Sequence, residues 1–195
     1  MSEKTVCAWA MKQPLEREYH DAEWGRVNKC DKYLFEFLTL EGAQAGLSWY
    51  TVLKRRDAYR TAFEHYDLDK LTAYDDADLN ERVEQIVEQF DVIKHRGKIR
   101  SVFQNARAAK VLIGEYGSLA EALWQFVDHQ PVINHWQAMS EVPASTDTSK
   151  ALSRFLKKHG FTFVGETICY AFMQAVGMVN DHLVTCYCHR EVQQP

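Results

Sequence analysis

The chain has 195 residues, 46% of them hydrophobic, enough to bury a substantial core in one domain or two tightly fused lobes. No apolar run reaches the roughly 20 residues that cross a bilayer, and the opening Met-Ser-Glu-Lys-Thr-Val-Cys lacks a signal-peptide hydrophobic region, so a cytoplasmic protein is expected. A formal net charge of −4 argues against binding nucleic acid by bulk electrostatics alone; positive charge gathers instead at Lys54-Arg55-Arg56, at Lys94-His95-Arg96-Gly97-Lys98 with Arg100, and at Arg154 with Lys157-Lys158-His159.

Hydrophobic periodicity is helical almost throughout, and the fold class expected is all-α. Residues 1–30 are irregular. Leu34, Phe37 and Leu38 then share one helical face, and Val52, Tyr59 and Phe63 share another. Asp75-Asp76 precede a helix marked by Leu79, Val83, Ile86 and Val87, and Ile99, Val102, Phe103 and Ala106 mark the next. Ser118 with Glu121 reads as a capping box opening a helix through Leu119, Leu123 and Phe126. Residues 130–147, with Pro131 and Pro143, read as a loop. Ala151, Leu152, Phe155 and Leu156 form a further stripe closed by Gly160, and a helix over 166–176 is closed by Gly177. Asn180-Asp181 would cap a short last helix carrying His182 and Cys186.

Two segments do not read as ordinary packing. Tyr19-His20-Asp21-Ala22-Glu23-Trp24-Gly25 and Leu40-Glu41-Gly42-Ala43-Gln44-Ala45-Gly46-Leu47-Ser48-Trp49 place acids and glycines among aromatics. With Trp9, they supply aromatic faces, one buried acid at a helix end and pliable backbone, which a pocket for a planar heterocycle requires. Glu41 is the candidate catalytic residue, because a buried carboxylate is costly unless it is paired or used. Trp9, Tyr19, Trp24, Glu41 and Trp49 are the candidate base-binding set. Leu47, preceded by Gly46, is apolar on a tight loop beside that pocket, and reads either as a core residue or as an apolar wedge free to insert between stacked rings.

Leu156 to Thr167 joins two helices through Gly160 and Gly165 with four residues between them. It reads either as a plain helix hairpin or as a phosphate grip, with free N–H groups at the second helix start and Lys157 and Lys158 beside it. Five cysteines in a chain of cytosolic character point to burial or metal ligation rather than disulfides. His182 and Cys186, at i and i+4, can clamp Zn²⁺. Cys7 and His20 are natural partners, with Cys188 and His189 as rivals.

These segments in the same order, together with Cys7-Ala8-Trp9, His95-Arg96-Gly97-Lys98-Ile99, Phe161 to Tyr170 and Val179-Asn180-Asp181-His182, closely resemble the bacterial 3-methyladenine DNA glycosylase I family over about residues 7–188. The resemblance implies a single helix-hairpin-helix glycosylase domain over 1–195, with the hairpin at 156–168 holding DNA through Gly160, Phe163 and Gly165. It implies one structural zinc per chain on Cys7, His20, His182 and Cys186, stapling segments 1–30 and 178–190. It implies a monomer that takes 3-methyladenine from alkylated double-stranded DNA, releases it as the free base, and has no membrane partner. One departure stands out: the family usually carries tyrosine three residues before the Tyr19 position, where this chain has Glu16.

Overall fold

The computed structural model describes residues 5–194. Residues 1–4 and 195, and with them the start of the N-terminal segment and the outer ends of the expected 1–195 domain, lie outside the described residues.

After a 3₁₀ turn at Ala8–Met11, the helices are α1 (Pro14–Ala22), α2 (Asp31–Gln44), α3 (Trp49–Leu53), α4 (Arg56–Ala62), α5 (Leu68–Thr72), α6 (Asp76–Gln89), α7 (Arg96–Tyr116), α8 (Leu119–Trp124), α9 (Asp147–Lys158), α10 (Glu166–Ala175) and α11 (Tyr187–Glu191). The molecule is thus mostly helical, as its periodicity predicts, but the stretch 1–30, expected to be irregular, holds the 3₁₀ turn and the nine-residue α1 among its described residues. Among the described residues, no helix is long and apolar enough to cross a membrane.

Helix α2 organises the rest. Every residue from Leu34 to Ala43 is buried, and α3, α7, α8 and α10 pack around it. The expectation of one apolar face at Leu34, Phe37 and Leu38 is therefore too narrow, since a helix enclosed on all sides needs no polar stripe. Its buried Glu36 accepts from Arg56 Nε (2.6 Å) and Arg60 Nε (2.8 Å), and Arg56 also donates to Glu23 (2.7 Å). This network takes Arg56, of the basic cluster at 54–56, into the core.

Capping largely follows the sequence. Asp75 accepts from the N–H groups of Ala77 and Asp78. Ser118 accepts from Glu121 N–H (3.0 Å), but Glu121 does not return the bond. Asp31 of α2 serves the other free donors instead, accepting from Leu119 N–H (3.0 Å) and Ala120 N–H (2.9 Å). The single face traced through Val52, Tyr59 and Phe63 is divided between α3 and α4, with Phe63 just beyond α4.

Two further differences concern the C-terminal third. Val132–Ile133 (β1) pairs in parallel with Val179–Asn180 (β2). Strands of two residues carry no alternation that a sequence could display. The stretch from His182 to Cys186 is not helical: Cys186 is the N-cap of α11, and Asn180 caps no helix. The i, i+4 spacing brings His182 and Cys186 together through a turn, closed by Cys186 N–H to Leu183 O (2.8 Å).

Helices α9 and α10 pack against each other as a hairpin, and α10 packs on α2. Asn105 of α7 pins the connecting turn from both sides, donating to Thr162 O (3.0 Å) and accepting from Thr162 N–H (2.8 Å). Gly42 of α2 lets the turn come close, because a Cβ there would stand 3.1 Å from Phe163 O.

Candidate active site and metal cluster

The wall of the site is built from the ends of elements. Glu41 lies one turn before the end of α2, Trp49 opens α3 behind its Ser48 cap, Tyr19 comes from α1, and Trp9 and Trp24 come from the irregular segments flanking α1. All five candidate base-binding residues line one cavity of about 530 Å³. That volume suits a small planar ligand. Glu16, Gln44, Tyr50, Met139 and Gln174 complete much of the lining. Gln44 and Tyr50 lie in or beside the segment already singled out, whereas Met139 and Gln174 arrive through tertiary contacts that no local pattern announces.

Ring geometry keeps the cavity open. Tyr19 and Trp49 are tilted with centroids 5.2 Å apart, Tyr19 backs onto Phe37 at 6.0 Å, and Trp9 meets Trp24 edge-on at 5.1 Å. The buried Tyr19 hydroxyl and Trp49 Nε1 have no hydrogen-bond partner among the described residues. Glu41 is 5% exposed and likewise has no hydrogen bond or ion pair among them. Burial pushes its carboxyl up to about 8. Burial, then the nearby Glu41 charge, also raises the Tyr19 phenol well above its ordinary value. The site therefore presents unsatisfied polar groups set in aromatic surface.

Asp181 braces the far side. Its buried carboxylate accepts from Asn134 Nδ2 (2.7 Å), Trp136 Nε1 (2.8 Å), Tyr170 OH (2.5 Å) and Gln174 Nε2 (2.8 Å). This ties the loop leading to Met139 to α10.

Behind the aromatic wall, Cys7, His20, His182 and Cys186 are all buried, and their ligand atoms lie within 4.8 Å of one another. His20 Nε2 is 3.1 Å from His182 Nδ1 and 3.6 Å from Cys186 Sγ, while His182 Nδ1 is 3.7 Å from Cys186 Sγ and 3.9 Å from Cys7 Sγ. A tetrahedral S₂N₂ site implies ligand separations of about 3.3–3.8 Å, so the cluster can hold a metal ion. The outer ring nitrogens are occupied suitably: His20 Nδ1 bonds Asp21 (2.8 Å) and His182 Nε2 bonds Trp24 O (3.0 Å), which turns the other nitrogen of each towards the cluster. His189, a rival ligand on spacing, instead bonds Asn134 O at 2.8 Å. Cys188 groups with His20 and Asp21 rather than with the set of four, although its thiol lies against Cys186.

On the adjoining surface, Gly46 has φ +80° and Leu47 is 41% exposed in the turn after α2. Lys98 Nζ holds that turn by donating to Ala43 O (2.9 Å) and Ala45 O (2.7 Å), and burial lowers its amine. Gly160 closes α9 at φ +91°, and Gly165 is the N-cap of α10, a helix without a side-chain cap. A Cβ at Gly165 would meet nothing within 4 Å and its φ of −62° is ordinary, so the fold itself does not demand glycine there. Phe163, at φ +55°, is half-buried with its ring against His95 (5.9 Å). Lys157 and Lys158 are exposed and form no ion pair among the described residues, whereas Arg55, Arg56 and Arg96 are engaged by Asp91, Glu23, Glu36 and Glu84.

The chain is 48% identical over 183 residues to DNA-3-methyladenine glycosylase 1 of Escherichia coli (strain K12), covering 94% of this chain and 96% of that protein. It matches a crystal structure of 3-methyladenine DNA glycosylase I (TAG) with a TM-score of 0.90 and 45% identity, over 95% of this chain and all of that one. A structure of the Staphylococcus aureus 3-methyladenine DNA glycosylase I, concerned with 3-methyladenine recognition, matches with a TM-score of 0.86 at 32% identity, over 93% and 95% of the two chains. The methyladenine glycosylase model spans residues 9–189, which include every residue lining the aromatic cavity, and the chain accordingly belongs to the methyladenine glycosylase family.

Proposed function

We propose that this chain is a DNA repair glycosylase that extracts 3-methyladenine from alkylated double-stranded DNA and hydrolyses its N-glycosidic bond, leaving an abasic site. The observation that carries the reading is the aromatic cavity around an unpaired, buried Glu41, in a chain of this family. N3-alkylation makes adenine cationic and weakens its bond to deoxyribose, so the protein has little need to protonate the leaving base. It has to find the base, hold it outside the helix and reject ordinary adenine.

Stacking on Trp9, Tyr19, Trp24 and Trp49 supplies about 1–3 kcal/mol, and a desolvated cation over a tryptophan face adds about 2 kcal/mol that neutral adenine cannot collect. Glu41, ionised by the arriving cation, accepts from the exocyclic amine. Water adds to the sugar carbon as the base leaves with the bonding electron pair, which cancels its positive charge, and the water's proton passes to solvent. The test is direct: incubation of alkylated DNA with the protein should release free 3-methyladenine, and release of no base would refute the assignment.

The metal reading is one structural Zn²⁺ per chain. Four protein ligands leave no open position for substrate, so its contribution is to join the two ends of the chain rather than to react. The α9–α10 hairpin is read as the helix-hairpin-helix of a single domain. The protein is read as a cytoplasmic monomer.

DNA is held, on this reading, by the N–H groups after Gly165 and by Lys157 and Lys158, with Gly160 and Phe163 shaping the turn. Glu166, in the same first turn, is engaged by Ser145 (3.3 Å). Phosphate contacts carry no sequence information and weaken with salt. Reversing both lysines to glutamate should lower affinity for damaged and undamaged duplex alike and reduce the salt slope by about 2. A loss confined to damaged DNA would contradict this grip.

Leu47 is assigned the wedge that fills the gap left by the flipped base, with Gly46 giving close backbone approach. Leu47→Ala should slow excision from duplex DNA by about 10-fold or more, because unstacking costs a few kcal/mol, while binding of free 3-methyladenine stays nearly unchanged. Equal losses in both measurements would make Leu47 a pocket-packing residue instead.

A further inference from the structure

We propose that Glu16 is a second recognition acid of the cavity, one that selects bases carrying a positive charge; this deepens, and rests on, the glycosylase reading above. Glu16 is 7% exposed, has no hydrogen bond or ion pair among the described residues, and lines the same cavity as Glu41. A carboxylate withdrawn from water without a partner is destabilising. A cationic ligand in the cavity removes that penalty.

The local structure favours the negative charge in advance. Glu16 is the third residue of α1, beside the free N–H groups of its first turn, where an anion is stabilised by the helix dipole. The two acids come from different helices, Glu16 from α1 and Glu41 from α2. No hydrogen bond joins the two carboxyls among the described residues, and both line the cavity. They meet separate edges of one ligand. An alkylated purine suits this arrangement: its exocyclic amine meets one acid, and its delocalised positive charge is met by the other. A neutral purine of the same shape gains the stacking and one hydrogen bond, but nothing from the second charge. Glu16 therefore widens the gap between charged and uncharged bases.

The test uses two small probes with the full-length protein. One is 3,9-dimethyladeninium, a fixed cation with a methyl group where the sugar attaches. The other is 3-methyladenine at pH 8, which is uncharged. Glu16→Gln should weaken binding of the cation about tenfold and of the neutral base less than twofold, while thermal stability stays level or rises because an unpaired buried charge is gone. Glu16→Asp, which keeps the charge, should retain the preference for the cation. Equal losses for both probes, or an unchanged affinity for the cation, would overturn the proposal. A fall in stability with loss of both probes would reveal a structural role and overturn it too. The broader reading fails separately, through a wild-type protein that releases no base from alkylated DNA.

Discussion

Replacing Glu41 with glutamine is expected to reduce excision of 3-methyladenine about 100-fold while the folded protein becomes more stable at pH 8. The loss reflects a charge-assisted hydrogen bond to a cationic base, worth about 1.5–3 kcal/mol, or roughly 10- to 150-fold. The gain follows from burial. Its carboxyl rises from 4.5 to about 8 on folding with no partner among the described residues. A folded state that binds its proton more tightly than the unfolded chain loses stability as pH climbs from below 4.5 through about 8. The penalty, on the order of a few kcal/mol for so buried a group, is complete above that range and absent below it. Denaturant melts should therefore show wild type and Glu41→Gln nearly equal at pH 4.5, and the variant ahead at pH 8. The same displacement makes cation binding release a proton, so wild-type affinity for a cationic base should rise between pH 6 and pH 8 and the variant's should not. Wild-type excision rates in a folded variant would remove Glu41 from the mechanism, and a variant less stable at pH 8 would mean that Glu41 has a partner.

Loss of the metal should be the most damaging change to the fold. Cys7 and His20 precede α2, whereas His182 and Cys186 follow β2, so the ion would join chain segments more than 150 residues apart in sequence. Structural zinc contributes about 10–16 kcal/mol in small zinc-dependent peptides. This chain has a large core of its own, and a fraction of that value, about 5 kcal/mol, corresponds to roughly 10–20 °C in a domain of this size. Cys186→Ser, or prolonged chelation, should lower the melting temperature by that amount and release about one zinc per chain, as counted by elemental analysis. Base binding should fall with it, since Trp9 is two residues from Cys7, Tyr19 adjoins His20, and the Trp24 carbonyl is bonded to His182. Protein purified without chelators that contains no metal, with the same melting temperature after chelation, would falsify the staple.

The alternation of helix and cap was legible where a segment's own residues decide it: Asp75 before α6, Ser118 before α8, Gly160 after α9. Glu41 and the tryptophans stood out because acids and large aromatics crowd together beside glycines in a way that core packing does not require. His182 and Cys186 were legible as a pair, but the conformation joining them was not. A four-residue spacing brings two side chains together on a helix and in a tight turn alike, and the turn here is dictated by the β1–β2 pairing and by contacts with the N-terminal segment.

What the sequence by itself determined is the set of chemical groups and the family to which they belong. Local patterns of charge, aromaticity and glycine are properties of neighbours along the chain, and they survive without coordinates. Only the tertiary structure decided which of those groups share an environment. It closed four potential metal ligands from two ends of the chain to within 4.8 Å, and it brought Met139, Ala171 and Gln174 to a cavity otherwise built from the first 50 residues. It took the Arg55-Arg56 charges into ion pairs while leaving Lys157 and Lys158 free among the described residues. It also buried Glu16 against the aromatic cavity. Burial is a relation between distant segments, and so is the raised carboxyl of Glu41 that burial produces.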